Sequence, residues 1–417
     1  MTVSTDVGRL LAEFGPGKSI YLPGATGQLT PLVDALQADP DRADGVEFVG
    51  CFVPGMNEVD YAGLHPNARA TTFMLPRAMH GSFAAGRVDL APASYFEAAK
   101  QLARRDYSVV FAHVAPPGPD GMCSLGIASD FSPIVWAKAE RRVLVVNPLM
   151  PAMARGPRLA LSDADVVVEM ACPLVEAAPA GEPSAEIDAI ARRVAALVPD
   201  GAAIQTGIGG APGAIWAHLR DRRGLRLRSG MANDWLRDLA EAGALAPAEA
   251  QFAGIAFGSA DFYAYLAETH LVGFGSVFAT HDPQAIAQVD RFYAINSALE
   301  VDLFGQSNVE WQSGRLSSGV GGALDFARGA MGSPGGRSII ALPATAKKGA
   351  ISRIVARLET PCVSLSRQDV DTVVTEHGVA HLRGVGLDAR AEALIAIAAP
   401  EFRDQLQSDW ANIRGRM

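Results

Sequence analysis

Strand-length apolar runs recur along this chain, and longer amphipathic segments separate them. Tyr107–Val114, Arg142–Val146, Ala164–Glu169, Ala202–Gln205, Ser338–Leu342 and Asp371–Thr375 are such runs, flanked by Gly, Pro, Asn or Asp. Apolar runs of this length, bounded by turn residues, are what strands buried on both faces look like. Between them, Ile187, Ile190, Val194 and Leu197 follow helical spacing, with Ser184 placed to cap and Glu186 in the first turn. Alternation of strands and helices needs crossover connections, so the chain predicts an α/β fold with largely parallel sheets. At 417 residues it exceeds what one ordinary core supports, which predicts two domains. Two stretches also repeat one order. VGRLLAEF, GPGKS, the strand IYLP, the loop GATGQ and Thr30-Pro31 precede a helix; later IARRVAALV, PDG, the strand AAIQ, the loop TGIGG and Pro212 do the same. This weak duplication predicts two similar open α/β domains, over 1–178 and 184–417. The aperiodic Ala-, Pro- and Gly-rich segment Leu174–Pro183 reads as the linker.

Composition narrows the function. A net charge of −9 argues against a general nucleic-acid binder, which needs a basic footprint. At 49% hydrophobic residues the chain is no disordered polymer. MTVSTDVGRLLAEFG lacks a basic start followed by an apolar run, so no signal peptide is expected. No uncharged apolar stretch reaches the roughly 20 residues of a membrane span. The expectation is a soluble cytoplasmic protein with no membrane partner. Cys51, Cys123, Cys172 and Cys362 are widely spaced and read as reduced core residues. None of the eight histidines forms a metal-binding pair. His377 and His381 are four apart, but Gly378 argues against a helix, so no metal is expected. No G-x-S-x-G elbow is present, which argues against a standard serine hydrolase.

Glycine-rich loops carry the chemistry. Gly15–Ser19 imitates a phosphate loop, but Ala12 stands where the upstream glycine belongs, and the segment precedes a strand. It reads as a turn. Gln205–Gly213 follows a strand and opens a helix, but Pro212 breaks the dinucleotide fingerprint, leaving a ligand cradle or a tight turn. Ser318–Gly322 precedes a helix-like segment; its amides suit an oxyanion hole or a close-packed turn. Only five lysines occur, and two of them, Lys347 and Lys348, adjoin in the loop Thr345–Gly349 after a strand. That placement suits contact with an anion, or a plain exposed loop.

Together these pieces form a pattern. Residues 116–131 (PPGPDGMCSLGIASDF), 145–151 (VVNPLMP), 205–215 (QTGIGGAPGAI), 295–310 (INSALEVDLFGQSNVE), 318–330 (SGVGGALDFARGA), 337–355 (RSIIALPATAKKGAISRIV) and 373–384 (VVTEHGVAHLRG) resemble the acetyl-CoA hydrolase/transferase family. That family includes 4-hydroxybutyrate CoA-transferases and related class I enzymes. The resemblance runs from about residue 105 to the C-terminus, and the first hundred residues match more loosely. It implies two open α/β domains, a homodimer, and an active site at the domain interface. It also implies a glutamyl-CoA thioester on a catalytic Glu, with a small carboxylate as second substrate. Such nucleophilic catalysis needs an oxyanion hole and exclusion of water. Carried onto matching positions, Gly207, Ile208, Gly209, Gly210 and Ala211 would line the thiol end of coenzyme A. Gly322 would give an oxyanion amide, Lys347 and Leu299 would meet CoA, and Glu376 would be an auxiliary carboxylate.

Two positions depart from the family pattern. Its nucleophile sits in a motif resembling H-T-E-M-x-S-D-G, and the stretch here reads Arg228-Ser229-Gly230-Met231-Ala232-Asn233-Asp234. LRDLAEAGAL downstream fixes the register, so Gly230 takes the nucleophile position, and glycine cannot form the thioester. The family's Asn, in an N-D-P or N-H-P turn, is replaced by His281 of His281-Asp282-Pro283. An imidazole titrating near neutrality is a general base for water, with Glu376 to orient it. Glu300 lies in the family's own SALEVDL block and reads as structural, and Glu310 is a weaker substitute nucleophile. The chain therefore predicts an acyl-CoA enzyme that hydrolyses a thioester or cleaves a β-ketoacyl-CoA. The alternatives are a conventional transferase using another Glu, or a non-catalytic acyl-CoA-binding protein. Met56, Asn57, Glu58, Met79 and His80, in the divergent N-terminal third, are candidates for an acyl pocket.

Overall fold

A computed structural model describes residues 6–178, 181–207 and 210–417, with only the backbone at 210–212. Two compact units result. The first gathers Met1–Pro179, Gly230–Asp234 and Gln251–Thr280; the second gathers Ala180–Ser229, Trp235–Ala250 and His281–Met417.

In the first unit, β1 (Ser19–Tyr21), β2 (Glu47–Val49), β3 (Arg69–Thr72), β4 (Val88–Leu90), β5 (Tyr107–Val114), β6 (Ala139–Val146) and β7 (Val166–Glu169) form one sheet. Its order is β4-β3-β2-β1-β5-β6-β7, and every pairing is parallel. Runs such as Val109–Ala112 and Val143–Val145 are buried on both faces, as a sheet covered on both sides requires. Tyr107–Val114 occupies the range expected for it. Arg142–Val146 starts earlier, because Ala139 pairs with Tyr107 and brings the polar Glu140 and Arg141 into the strand. Gly8–Leu11 is the only helical part of VGRLLAEF.

In the second unit, β8 (Ala203–Thr206), the first four residues of β9 (Arg226–Ala232, of which Gly230 onward count with the first unit), β10 (Phe292–Asn296), β11 (Arg337–Ala341), β12 (Thr372–Thr375) and β13 (Gly378–His381) run in the order β9-β8-β10-β11-β12-β13. These pairs are parallel up to β12, and β13 returns antiparallel. His377 and His381 thus sit on a hairpin, not a helix. In each sheet the first strand lies inside: β1 between β2 and β5, β8 between β9 and β10. That shared placement is the structural form of the repeated motif. Ser184 caps the helix Ala185–Leu197, accepting from Ile187 N at 3.4 Å, with Glu186 in its first turn. Val301, Leu303, Ile340, Ile354, Val373 and Leu394 share the core of this unit. Among the described residues, no helix is long and apolar enough to cross a membrane.

Candidate functional site

Where the chain leaves an inner strand, the neighbouring connections run to opposite sides and leave a crevice at the strand's carboxyl end. Gly207 stands at that point after β8. Gln205 and Asn296, at the ends of β8 and β10, exchange amide hydrogen bonds: Gln205 Nε2 donates to Asn296 Oδ1 at 3.2 Å, and Asn296 Nδ2 donates to Gln205 Oε1 at 3.1 Å. A Cβ on Gly207 would lie 2.7 Å from Asn296 Oδ1, so this pair leaves room only for glycine. Gly207 N in turn donates to Ile295 O at 2.9 Å. Ile208 and Gly209 lie outside the described residues. Gly210 and Ala211 open the short helix Gly210–Ile215.

A second knot joins His281 to Gly322. His281 precedes Asp282, whose carboxylate caps the helix Pro283–Ala287 by accepting from Gln284 N at 2.9 Å. The imidazole is 4% exposed and lies 4.6 Å from the Phe326 ring, centroid to centroid. Gly322 is the N-cap of the helix Ala323–Gly332, one turn before Phe326. A Cβ there would meet His281 Nε2 and Cδ2 at 2.6 Å. Gly322 therefore has a steric duty that its motif did not announce: it makes room for the ring. Burial pushes the His281 pKa down to about 3. The expectation of an imidazole titrating near neutrality is thus corrected. Dry surroundings disfavour the charged ring, so His281 is neutral across the physiological range.

Leu299 and Lys347 meet in one cleft of about 980 Å³. Lys347, Arg353, Arg357 and Arg416 give it four cations, against the carboxylates of Glu300, Glu359 and Asp409. Lys347 and Lys348 form a hairpin turn between Thr345–Ala346 and Ile351–Ser352, with φ of +49° and +58°. Burial lowers the Arg353 pKa, and Glu300 and Glu376 work against that shift. Arg353 is thus a partly desolvated cation flanked by two carboxylates. Glu376 tips the β12–β13 hairpin; its Oε2 accepts from Ala344 N at 2.8 Å, and Oε1 lies 3.7 Å from His377 Nε2. Sequence reasoning passed over Arg353, Arg357 and Arg416, although Arg353 lies inside the quoted block 337–355. Glu300 lines the cleft, whereas Glu310 accepts the Ser364 hydroxyl at 2.6 Å in a structural bond.

Gly230 lies in β9 and belongs to the first unit. The N-terminal pocket candidates prove structural in several cases. Met56 and Met79 are core residues. Asn57 is buried and knits two loops, its Oδ1 accepting from Ala25 N and Val53 N, both at 2.8 Å. Glu58 is exposed and accepts from Gly55 N at 3.0 Å.

Comparison with known proteins now gives these loops a family. Residues 258–410 match the acetyl-CoA hydrolase/transferase C-terminal domain. The 4-hydroxybutyrate coenzyme A transferase of Clostridium kluyveri is 34% identical over 396 residues, which cover 93% of this chain and 92% of that one. An acetyl-CoA hydrolase of Candida albicans is 33% identical over 138 residues, 32% of this chain and 25% of that one. A solved structure of 4-hydroxybutyrate CoA-transferase from Porphyromonas gingivalis superposes with a TM-score of 0.80 at 28% identity, covering 100% of this chain and 98% of that one. RipA from Yersinia pestis gives 0.87 at 28% identity, covering 98% and 99%. The fold, the family match and the extent of the similarity agree: this chain belongs to the acetyl-CoA hydrolase/transferase family of enzymes acting on CoA thioesters.

Proposed function

We propose that this enzyme processes acyl-CoA without a glutamyl-CoA intermediate, and that hydrolysis to free CoA and a carboxylate is its simplest reaction. The observation that carries the reading is Gly230, at the position where the family pattern has its nucleophilic Glu. Leu299 and Lys347 hold CoA in the mixed-charge cleft, with the loop Gly207–Ala211 at its thiol end. Amides at Gly322 and Gly207 receive the thioester oxygen as it becomes negative. His281, neutral and packed on Gly322, orients the attacking water, and Glu376 is an auxiliary carboxylate. The same parts suit cleavage of a β-ketoacyl-CoA when water adds to the ketone instead. A relative named acetyl-CoA hydrolase supports hydrolysis within the family. We place the enzyme in the cytoplasm as a homodimer.

The test is incubation with a panel of acyl-CoAs, with free thiol and protein mass followed together. Thiol release with no CoA adduct on the protein, lost in His281→Ala, is the expected result. A Glu–CoA adduct would show a conventional transferase and overturn the reading. Binding without turnover would also overturn it.

A further inference from the structure

We propose that a cleft at one edge of the second unit's sheet is a phosphate-binding site, separate from the acyl-CoA site and taking inorganic phosphate or the phosphate of a monoester. Its walls come from three neighbouring strands of that unit. Arg337 opens β11, Asp371 directly precedes β12, and β13 ends at His381 with Arg383 two residues on. β11 and β12 are parallel and β13 returns antiparallel, so these residues share the edge where β11 and β12 begin. Glu376 follows β12 at the other edge, about 16 Å from Asp371 along extended chain. Lys347 likewise comes after the carboxyl end of β11. The cleft is open, has a volume of about 380 Å³, and is lined by Gly335, Gly336, Arg337, Asp371, His381 and Arg383.

Asp371 anchors the cleft. Its side chain is fully buried, with Oδ1 accepting from the Thr372 hydroxyl at 2.6 Å and Oδ2 from Ser338 N at 3.2 Å. Arg337 Nη1 lies 4.0 Å from Oδ1, and Arg383 Nη1 lies 4.0 Å from Oδ2. Both distances are beyond hydrogen-bond reach, so one carboxylate draws two guanidiniums together without saturating either. Arg337 Nη1 donates to Thr372 Oγ1 at 3.3 Å. Arg383 Nη1 donates to Gly336 O at 3.4 Å, and its Nη2 to Met331 O at 3.0 Å. Among the described residues, Arg337 Nε and Nη2, Arg383 Nε and the His381 ring have no protein partner. Gly335, at φ of +69°, and Gly336 turn the chain beside these donors with no side chain to fill the space. The lining thus sets two arginines against one carboxylate, a local positive excess in a chain of net charge −9. That excess repels a metal cation and attracts an anion. Guanidiniums meet phosphate oxygens as forks of donors. A tetrahedral phosphate offers more oxygens than a carboxylate to donors arriving from several strands, and its greater charge gains more from two arginines.

The experiment is calorimetric titration of the full-length, CoA-free protein with inorganic phosphate, glycerol phosphate and acetate, at neutral pH and matched ionic strength. Wild type is compared with Arg383→Gln, Arg337→Lys and Lys347→Gly. Phosphate is expected to bind the wild type more tightly than acetate does. Arg383→Gln, which changes a half-exposed side chain, is expected to raise the phosphate Kd by about tenfold or more. Arg337→Lys keeps the charge but loses the fork, and should raise the Kd by a smaller factor. Lys347→Gly, at the other edge of the sheet, should leave it unchanged. Tighter binding of glycerol phosphate than of phosphate assigns the site to an ester, and the reverse order assigns it to the free ion; either supports the site. Acetate binding as tightly as phosphate overturns the proposal. So does a phosphate Kd that is unmoved in folded Arg383→Gln and Arg337→Lys, or one that rises only in Lys347→Gly. Should Arg383→Gln fail to fold, Arg337→Lys carries the same test. The readout is binding alone, so it holds whether or not the wild type releases thiol from acyl-CoA.

Discussion

Gly322 and His281 hold each other in place through a space too small for a methyl group. An alanine at 322 would put Cβ 2.6 Å from the imidazole and 3.2 Å from Phe326 Cε2. Overpacking of this kind costs about 1–3 kcal/mol. Gly322→Ala is therefore expected to lower the denaturant midpoint and to cut turnover, because the ring that moves is the proposed water-orienting group. In a His281→Ala background the same methyl enters vacated space, so its cost should fall below about 1 kcal/mol. Additive costs in that double-mutant cycle would refute the steric account. The sequence exposed both residues, one as a glycine-cluster amide and the other as a departure from the family turn. Their contact was not legible. It depends on the connection that carries Gly322 to the start of its helix, and hydropathy says nothing about which ring fills a glycine's empty side.

At the scale of elements, the Lys347–Gly349 turn sets local strain against charge. Two consecutive lysines adopt left-handed backbone, which costs L-residues about 1–2 kcal/mol each. Glycine accepts that conformation freely. Lys347→Gly should thus keep or raise stability against urea, while weakening CoA binding by about tenfold through loss of a charge-assisted contact. Calorimetric titration with CoA checks the second half, and an unchanged Kd would remove Lys347 from the proposed site. Here the sequence was informative: scarcity marked the lysine pair, and its position after a strand placed it in a loop. The same reading missed β2, β3 and β4. Each is three or four residues long, too short for any period to emerge, and parallel pairing with their neighbours is what defines them. The long central strands announced themselves because burial on both faces leaves an unbroken apolar run.

Across the whole molecule, buried titratable groups give stability a signed dependence on pH. His281 in the second unit and His113 in the first are both buried, with pKa values pushed down to about 3 and about 4. His113 is locked into β5, its Nδ1 3.2 Å from Gly27 O and its Nε2 3.0 Å from Asn147 Nδ2. For each histidine the unfolded chain binds a proton near pH 6.5 and the folded one does not. Each therefore contributes stability above pH 6.5 that is lost as pH falls toward its folded value, by up to about 1.4 kcal/mol per pH unit. Asp130 has the opposite sign. Its folded pKa of about 6 exceeds the unfolded value, so lowering the pH from 6 toward 4 relieves a penalty and offsets one of the two histidines. One histidine's slope remains, which is a large share of a typical stability of about 5–15 kcal/mol. Melting temperatures of wild type, His281→Asn and Asp130→Asn between pH 7 and 4.5 separate these parts, because exposed carboxylates contribute equally to all three. His281→Asn should lose less stability on acidification than the wild type, and Asp130→Asn should lose more. Parallel curves for the three proteins would mean that neither group changes its proton affinity on folding.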